Sequence, residues 1–187
     1  LYCWRAIDKN KNFDWIMFGF FAGIATLTYY LSLYLLASIA IFFISKIIKN
    51  KKFNIKYILT LMVYVITLSP HLFWIFQDNF KSIEYAFFRS FGDPLSELNS
   101  FPFLGNITYP FIFLIKQTLI LVPFFIMLRF IVSSFNTKIN LKDKKLIFLF
   151  SIAILPIILM FFTSLIGGVR IRTMWMTTFY LFPGIFF

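Results

Sequence analysis

The chain has 187 residues, of which 60% are hydrophobic and 29 are Phe, and its formal net charge is +11. Several apolar runs of about 20 residues exclude a soluble domain, because such runs are long enough to cross the roughly 30 Å hydrocarbon layer of a bilayer. Only helices and closed barrels satisfy their backbone groups in lipid, and these runs are too long for barrel strands. We therefore predict an all-α, multi-span transmembrane helical bundle.

The positive charge does not indicate a nucleic-acid partner, because the basic residues fall between the apolar runs and not on one face. This distribution is typical of membrane proteins, whose basic loops face the cytoplasm. The single cysteine, Cys3, permits no internal disulfide. Leu1 is not a start residue and Phe187 lies inside an apolar run, so we expect residues 1–187 to be a single partial transmembrane domain, truncated at both ends.

The first apolar region is too long for one helix. It follows a polar segment at residues 1–13 and covers residues 14–48. A single helix of that length would extend about 50 Å, which exceeds one upright span. We therefore predict two helices, at residues 14–28 and 31–48, with a turn near Tyr29.

Further spans are predicted between alternating basic and polar loops. They cover residues 58–76, 107–130 and 146–166, and residues 179–187 begin a final one. The basic loops are residues 46–56 and 133–145, and the opposite loops are residues 77–106 and 167–178. Of the 18 basic residues, 13 fall on the side of the basic loops, which predicts that this side is cytoplasmic.

Prolines and aromatic residues suggest further details of these spans and loops. Pro70 is expected to end or bend its helix, and Pro156 to kink a later one. Residues 77–106 contain four of the seven acids and several aromatic residues at helical spacing. This segment either packs over the mouth of the bundle or lies as a helix in the lipid interface.

Two segments carry spaced motifs. The first has the form Pro-x-Leu-x-Trp-Asn-x-Gln-x-x-Trp-x-Ser and is matched by Pro70, Leu72, Trp74, Gln77 and Ser82. Ile75 replaces its Asn and Phe80 its second Trp. The second has the form Trp-x-x-x-Gly-x-x-x-Gly-x-x-x-Leu-(Ser/Thr)-Lys-Tyr-Thr and is matched by Trp15, Gly19, Gly23, Leu27, Thr28 and Tyr30. Tyr29 replaces its Lys, which removes a phosphate contact.

With Gln117 six residues before Pro123 and a Trp-containing loop at Trp175, these motifs resemble membrane glycosyltransferases that use polyprenyl-phosphate sugars. These are the GT-C enzymes of glycosyltransferase family 39, which are protein mannosyltransferase-like or lipid A aminoarabinose transferase-like. Met174 and Met176 flank Trp175 where that family usually has His and Pro. The resemblance runs from Trp15 to Trp175.

The resemblance implies a GT-C fold in the plasma (inner) membrane and a role in the cell envelope. It implies transfer of a sugar from a polyprenyl-phosphate donor to a lipid, glycan or protein acceptor on the extracytoplasmic face. Membrane lipid and the lipid-linked sugar are the expected partners. The family's catalytic Asp lies in its first outer loop, so the catalytic residue is expected upstream of this chain. The sequence assigns no cofactor and leaves a divalent-metal requirement open.

Candidate site residues follow from chemistry and from the resemblance. Arg170, Arg172 and Lys116 are expected to bind the donor phosphate, because fixed positive charge suits phosphate oxygens. The alternatives are generic lipid headgroup contacts for the arginines and snorkelling for the lysine. The expected substrate-site lining is Trp74, Gln77 and Trp175.

Several alternatives remain open from the sequence. The glycines of the second motif can simply form a small-xxx-small packing face. His71, the single histidine, can simply pack or hydrogen-bond near the interface. A membrane transporter or lipid flippase would need paired, interrupted helices, and no repeated half is evident. A non-catalytic membrane subunit would explain why Tyr29 replaces the Lys of the second motif and why Met174 and Met176 replace the usual His and Pro.

Overall fold

A computed structural model describes residues 1–91, 102–131, 143–169 and 171–172 of the chain. All secondary structure in these residues is α-helical, which confirms the predicted all-α class. The chain divides into two compact units, Leu1–Tyr85 and Ala86–Phe187.

The first unit contains four complete helices, and the described part of the second contains two. They are α1 (Tyr2–Lys9), α2 (Asn12–Thr28), α3 (Ser32–Asn50) and α4 (Lys56–Gln77), then α6 (Pro102–Ile131) and α7 (Lys144–Gly167). Between them, α5 (Lys81–Phe91) begins in the first unit and ends in the second.

Four of these helices are long and apolar enough to cross a membrane. The candidate spans are Ser32–Asn50, Lys56–Gln77, Asn106–Met127 and Lys144–Gly167. They confirm the corresponding predicted spans to within a few residues at each end. They make the protein a multi-span helical membrane protein.

The segment predicted to be merely polar at residues 1–13 contains a helix, α1. Its buried residues, Cys3 and Ala6, are three apart and therefore share one helical face. This face packs against α2, and the ring of Tyr2 stacks on that of Phe21 with 5.3 Å between centroids. Helix α1 was not predicted, because its charged residues conceal a short amphipathic pattern.

The turn between the first two predicted helices is confirmed, since α2 ends at Thr28 and Tyr29 adopts an extended conformation. Helices α2 and α4 then run parallel in close contact. A Cβ atom at Gly19 would lie 2.5 Å from the carbonyl oxygen of Thr60, and one at Gly23 would lie 2.7 Å from Cβ of Thr67. The glycines therefore form a packing face, as the simpler interpretation of the second motif predicted.

Pro70 does not end its helix, because α4 continues to Gln77. A proline removes the hydrogen bond to the carbonyl four residues earlier, which here belongs to Ile66. The hydroxyl of Ser69 donates to that carbonyl at 2.8 Å. This side-chain hydrogen bond satisfies the freed acceptor and lets the span continue in lipid.

In the second unit, α6 and α7 form an antiparallel pair. The rings of Phe111 and Phe161 meet edge to face at 5.9 Å, and Gly168 lies against the side chain of Asn106. Gly168 ends α7 in the left-handed conformation (φ 63°), where a side chain would be strained and would collide with Asn106. The Ser164 hydroxyl donates to the Val169 carbonyl at 2.8 Å and reinforces this end.

The predicted loop at residues 77–106 was too long. Helix α5 occupies part of it, and α6 begins at Pro102, where the missing N–H of a proline has no helical partner to lose. Tyr85, Phe87 and Phe88 of α5 are each more than half exposed. Both alternatives for this segment, packing over the mouth of the bundle and a helix in the lipid interface, remain predictions. Most of the predicted basic loop at 133–145 and the final span at 179–187 lie outside the described residues.

Candidate functional site

A stack of three rings lies at the end of the first unit where α2 and α4 finish. The imidazole of His71 lies between the rings of Tyr30 and Trp74, with centroid distances of 5.8 Å and 5.7 Å. The hydroxyl of Tyr30 and Nε2 of His71 form a hydrogen bond of 2.6 Å. Both contacts confirm that His71 packs and hydrogen-bonds.

This stack fixes the position of Trp74 and leaves part of its surface accessible. Trp74 is 48% exposed although it stacks on His71. Gln77 is also exposed, and at a spacing of three residues it lies on the same side of α4. An exposed indole with a neighbouring amide can hold a sugar, since the ring packs on the apolar face of the sugar and the amide bonds its hydroxyls.

Tyr30 and His71 belong to separate segments of the sequence, and their pairing was not predicted. Both lie in or beside the matched motifs, but the motifs do not specify their distance in space. The pairing arises because parallel packing of α2 and α4 brings residue 30, just after the end of α2, level with the last two turns of α4.

Helix α6 carries two neighbouring polar residues that differ in their burial. Lys116 is exposed, whereas Gln117 is only 4% exposed. Among the residues that the structure describes, neither amide atom of Gln117 has a hydrogen-bond partner. An unpaired amide inside an apolar span is costly, so Gln117 is a polar residue on the buried face of α6 that a ligand or another side chain would stabilise.

The predicted phosphate-binding residues of the second unit are only partly described. Arg172 is exposed beyond the end of α7, while Arg170 and Trp175 lie outside the described residues. Gly168, at the end of α7, contacts Asn106 of α6. Lys116 follows Asn106 by ten residues, which places it about 15 Å away along the helix axis. Lys116 and the segment after α7 therefore lie at different depths.

One acid is buried in the first unit, at the start of α2. Asp14 is 1% exposed, and its Oδ1 lies 3.0 Å from Nε of Arg5, which is 39% exposed. The two atoms form an ion pair without hydrogen-bond geometry. The first turn of a helix also favours a carboxylate, because unpaired backbone N–H groups point toward it. The pair was not predicted, because Arg5 was placed in a polar segment and not on a helix that packs against α2.

The acids of the predicted outer segment are partly described. Asp78 precedes α5 and Glu84 lies in its first turn, whereas Asp93 and Glu97 lie outside the described residues. Across the part of the chain that the structure describes, no three His, Cys, Asp or Glu residues come together as metal ligands.

Comparison with known proteins gives one family match. Residues 1–74 match the family model described as "Dolichyl-phosphate-mannose-protein mannosyltransferase". No curated protein and no solved structure gives a match. The matched region covers α1 to α3 and most of α4, including the Tyr30–His71–Trp74 stack. Together with the four candidate spans, it supports a membrane glycosyltransferase of a GT-C-like family.

Proposed function

We propose that the protein is an integral membrane glycosyltransferase that uses a polyprenyl-phosphate sugar donor. It transfers the sugar to a lipid, glycan or protein acceptor on the extracytoplasmic face of the plasma (inner) membrane. The observation that carries this proposal is the match of residues 1–74 to a mannosyltransferase family in a chain with four candidate spans. Lipid-linked donors suit such a chain because the acceptor site and the donor lipid meet at a membrane surface.

The sugar end of the donor lies beside Trp74 and Gln77. Support comes from the ring stack on His71, which holds the Trp74 indole in place while 48% of its surface remains accessible. The assignment of Trp175 to the substrate site rests on the resemblance alone, because this residue lies outside the described residues. The end of the first unit that carries the stack is opposite its lysine-rich end, which is consistent with sugar transfer on the extracytoplasmic side.

The donor phosphate is bound by Arg170 and Arg172. Support comes from their chemistry, because a guanidinium offers several N–H donors to phosphate oxygens and stays charged at any physiological pH. Arg172 is exposed and therefore accessible to a lipid phosphate at the membrane surface. Lys116 lies deeper along α6 and supplies charge to the same donor from within the membrane.

The test uses the complete protein with a purified polyprenyl-phosphate sugar and measures donor consumption at constant protein level. Arg170→Ala and Arg172→Ala are made singly, with Lys144→Ala at the opposite end of α7 as the matched loss of one positive charge. We expect at least one arginine variant to lower donor use about tenfold or more, since a charge-assisted bond to phosphate is lost. If both variants use the donor as well as Lys144→Ala, the arginines bind lipid headgroups generically. If the unaltered protein consumes no such donor, the proposed function itself is wrong.

A further inference from the structure

A polar cavity lies at the lysine-rich end of the first unit, away from the ring stack. Its volume is about 220 Å³, several times the roughly 30 Å³ that one water occupies in the liquid. Its polar lining consists mainly of two lysines and three asparagines: Lys46, Lys52, Asn10, Asn50 and Asn54. None of the described residues that line it is acidic, so the cavity suits an anion.

The wall of this cavity is held in place by hydrogen bonds that converge on Asn10. Its side-chain oxygen accepts from Nε1 of Trp15 and from Nδ2 of Asn54, both at 3.0 Å. Its carbonyl accepts from Nζ of Lys56. Asn10 adopts the left-handed conformation (φ 49°) between α1 and α2, which orients its carbonyl and side chain toward these partners. The cavity is therefore preorganised.

The two lysines of the cavity differ from Lys56 in their contacts. Lys56 is bonded to Asn10, whereas Lys46 and Lys52 form no hydrogen bond or ion pair with any residue that the structure describes. Two cationic groups in one cavity repel each other, and an anion between them removes that repulsion.

An apolar groove adjoins this cavity. It has a volume of about 520 Å³ and runs between α3 and the packed α2 and α4 helices. Phe18, Leu36 and Ala40 are among its lining residues. Trp15 and Tyr57 line both spaces, so the polar cavity and the apolar groove meet at these two rings.

We propose that this composite space binds an anionic glycerophospholipid. The phosphate headgroup occupies the polar cavity between Lys46 and Lys52, and an acyl chain extends along the groove. Basic pockets between membrane helices on the cytoplasmic side suit anionic lipid headgroups, and the charge distribution predicts that this end is cytoplasmic. The site is separate from the proposed donor site and does not depend on the proposed function.

The test uses the complete protein, purified in mild detergent, and measures bound lipid by native mass spectrometry. The probes are dioleoyl phosphatidylglycerol and dioleoyl phosphatidylcholine, which share acyl chains and differ in net charge. We expect a clear preference for phosphatidylglycerol. In the double variant Lys46→Gln/Lys52→Gln, its binding should weaken about tenfold or more, because both lysine–phosphate attractions are lost.

A matched control removes the same charge from the same region. Lys49→Gln/Lys51→Gln alters two exposed lysines that do not line the cavity, and it should change phosphatidylglycerol binding by less than about twofold. A second variant, Ala40→Trp, fills the groove without changing charge and should also weaken binding. If the lysine double variant fails to fold, the proposal is still tested by Ala40→Trp and by the comparison of the two headgroups on the unaltered protein.

Several results would overturn the proposal. Equal weakening in the two double variants would mean that general surface charge attracts the lipid. Equal binding of phosphatidylcholine would remove the role of the cavity lysines. Displacement of phosphatidylglycerol by inorganic phosphate at similar concentration would assign the cavity to a free anion. Markedly tighter binding of undecaprenyl phosphate would assign the groove to an isoprenoid chain.

Discussion

At the scale of single residues, the Arg5–Asp14 pair links α1 to α2. Asp14 is almost completely buried, and Arg5 and the first turn of α2 provide the favourable electrostatic contacts of its carboxylate. Removal of one partner lowers stability by more than the intact pair contributes to it, because an uncompensated charge then remains inside the protein.

We expect Arg5→Ala to lower the free energy of unfolding by about 1–3 kcal/mol, less than for a fully buried pair because Arg5 is 39% exposed. The measurement is SDS titration in mixed micelles. Lys9→Ala, in the last turn of α1, is the matched charge loss and should have little effect. Adding Asp14→Asn to Arg5→Ala should recover part of the loss. If Arg5→Ala and Lys9→Ala behave alike, the pair does not stabilise the protein.

Residue-scale contacts show where sequence reasoning succeeds. The glycine spacing of Gly19 and Gly23 predicted a close helix contact, because only one physical cause, the absence of a Cβ, operates there. The Tyr30–His71 hydrogen bond was not predictable, since it joins residues 41 positions apart and depends on which helices pack together. Arg170 and Trp175, which carry much of the proposed site, remain predictions.

At the scale of elements, the contact between α2 and α4 organises the first unit. The Thr60 hydroxyl donates to the Trp15 carbonyl at 3.1 Å, and Tyr64 contacts Thr26 through their hydroxyls at 3.2 Å. These polar contacts lie beside the glycine face, so the two backbones must remain close for them to form. Packing of small residues and interhelical hydrogen bonds are the main forces between helices in lipid.

We expect Gly19→Ala to destabilise the first unit by about 1–3 kcal/mol, because the added methyl group meets a backbone carbonyl that cannot rotate away. The measurement is again SDS titration. Gly167→Ala is the control, since its Cβ would meet only a methyl group of Val169, at 3.3 Å. A loss at Gly19 no larger than that at Gly167 would show that α2 can move away from α4 at little cost.

Hydropathy predicted the ends of a helix well where the thickness of the bilayer alone sets its length. The span predicted at residues 58–76 became Lys56–Gln77, because about 20 apolar residues match the thickness of the bilayer. Proline was a weaker guide, since Pro70 lies inside a helix whose freed carbonyl is bonded by Ser69. Helix α1 was missed because its charged residues dominate its composition, while only its spacing reveals the face that packs on α2.

At the scale of the whole molecule, the two ends of the first unit differ in chemistry. One end carries the cavity with Lys46 and Lys52, and the other carries the Tyr30–His71–Trp74 stack. In the two proposals made above, the anionic lipid binds at one end and the sugar at the other. If both hold, the orientation of the protein in the membrane decides which side can perform sugar transfer.

The last prediction concerns that orientation. In intact cells, an impermeant thiol reagent should label Lys81→Cys but not Lys51→Cys, because the sequence predicts that 13 of the 18 basic residues fall on the side of Lys51. Both lysines are exposed, so the two variants are matched in accessibility.

The native Cys3 should not react with the reagent. It lies outside the four candidate spans, and burial raises the pKa of its thiol to about 12, so the thiol stays protonated at pH 7. Permeabilised cells, in which both variants should label, provide the control. Labelling of Lys51→Cys alone in intact cells would reverse the topology and move the ring stack to the cytoplasmic side.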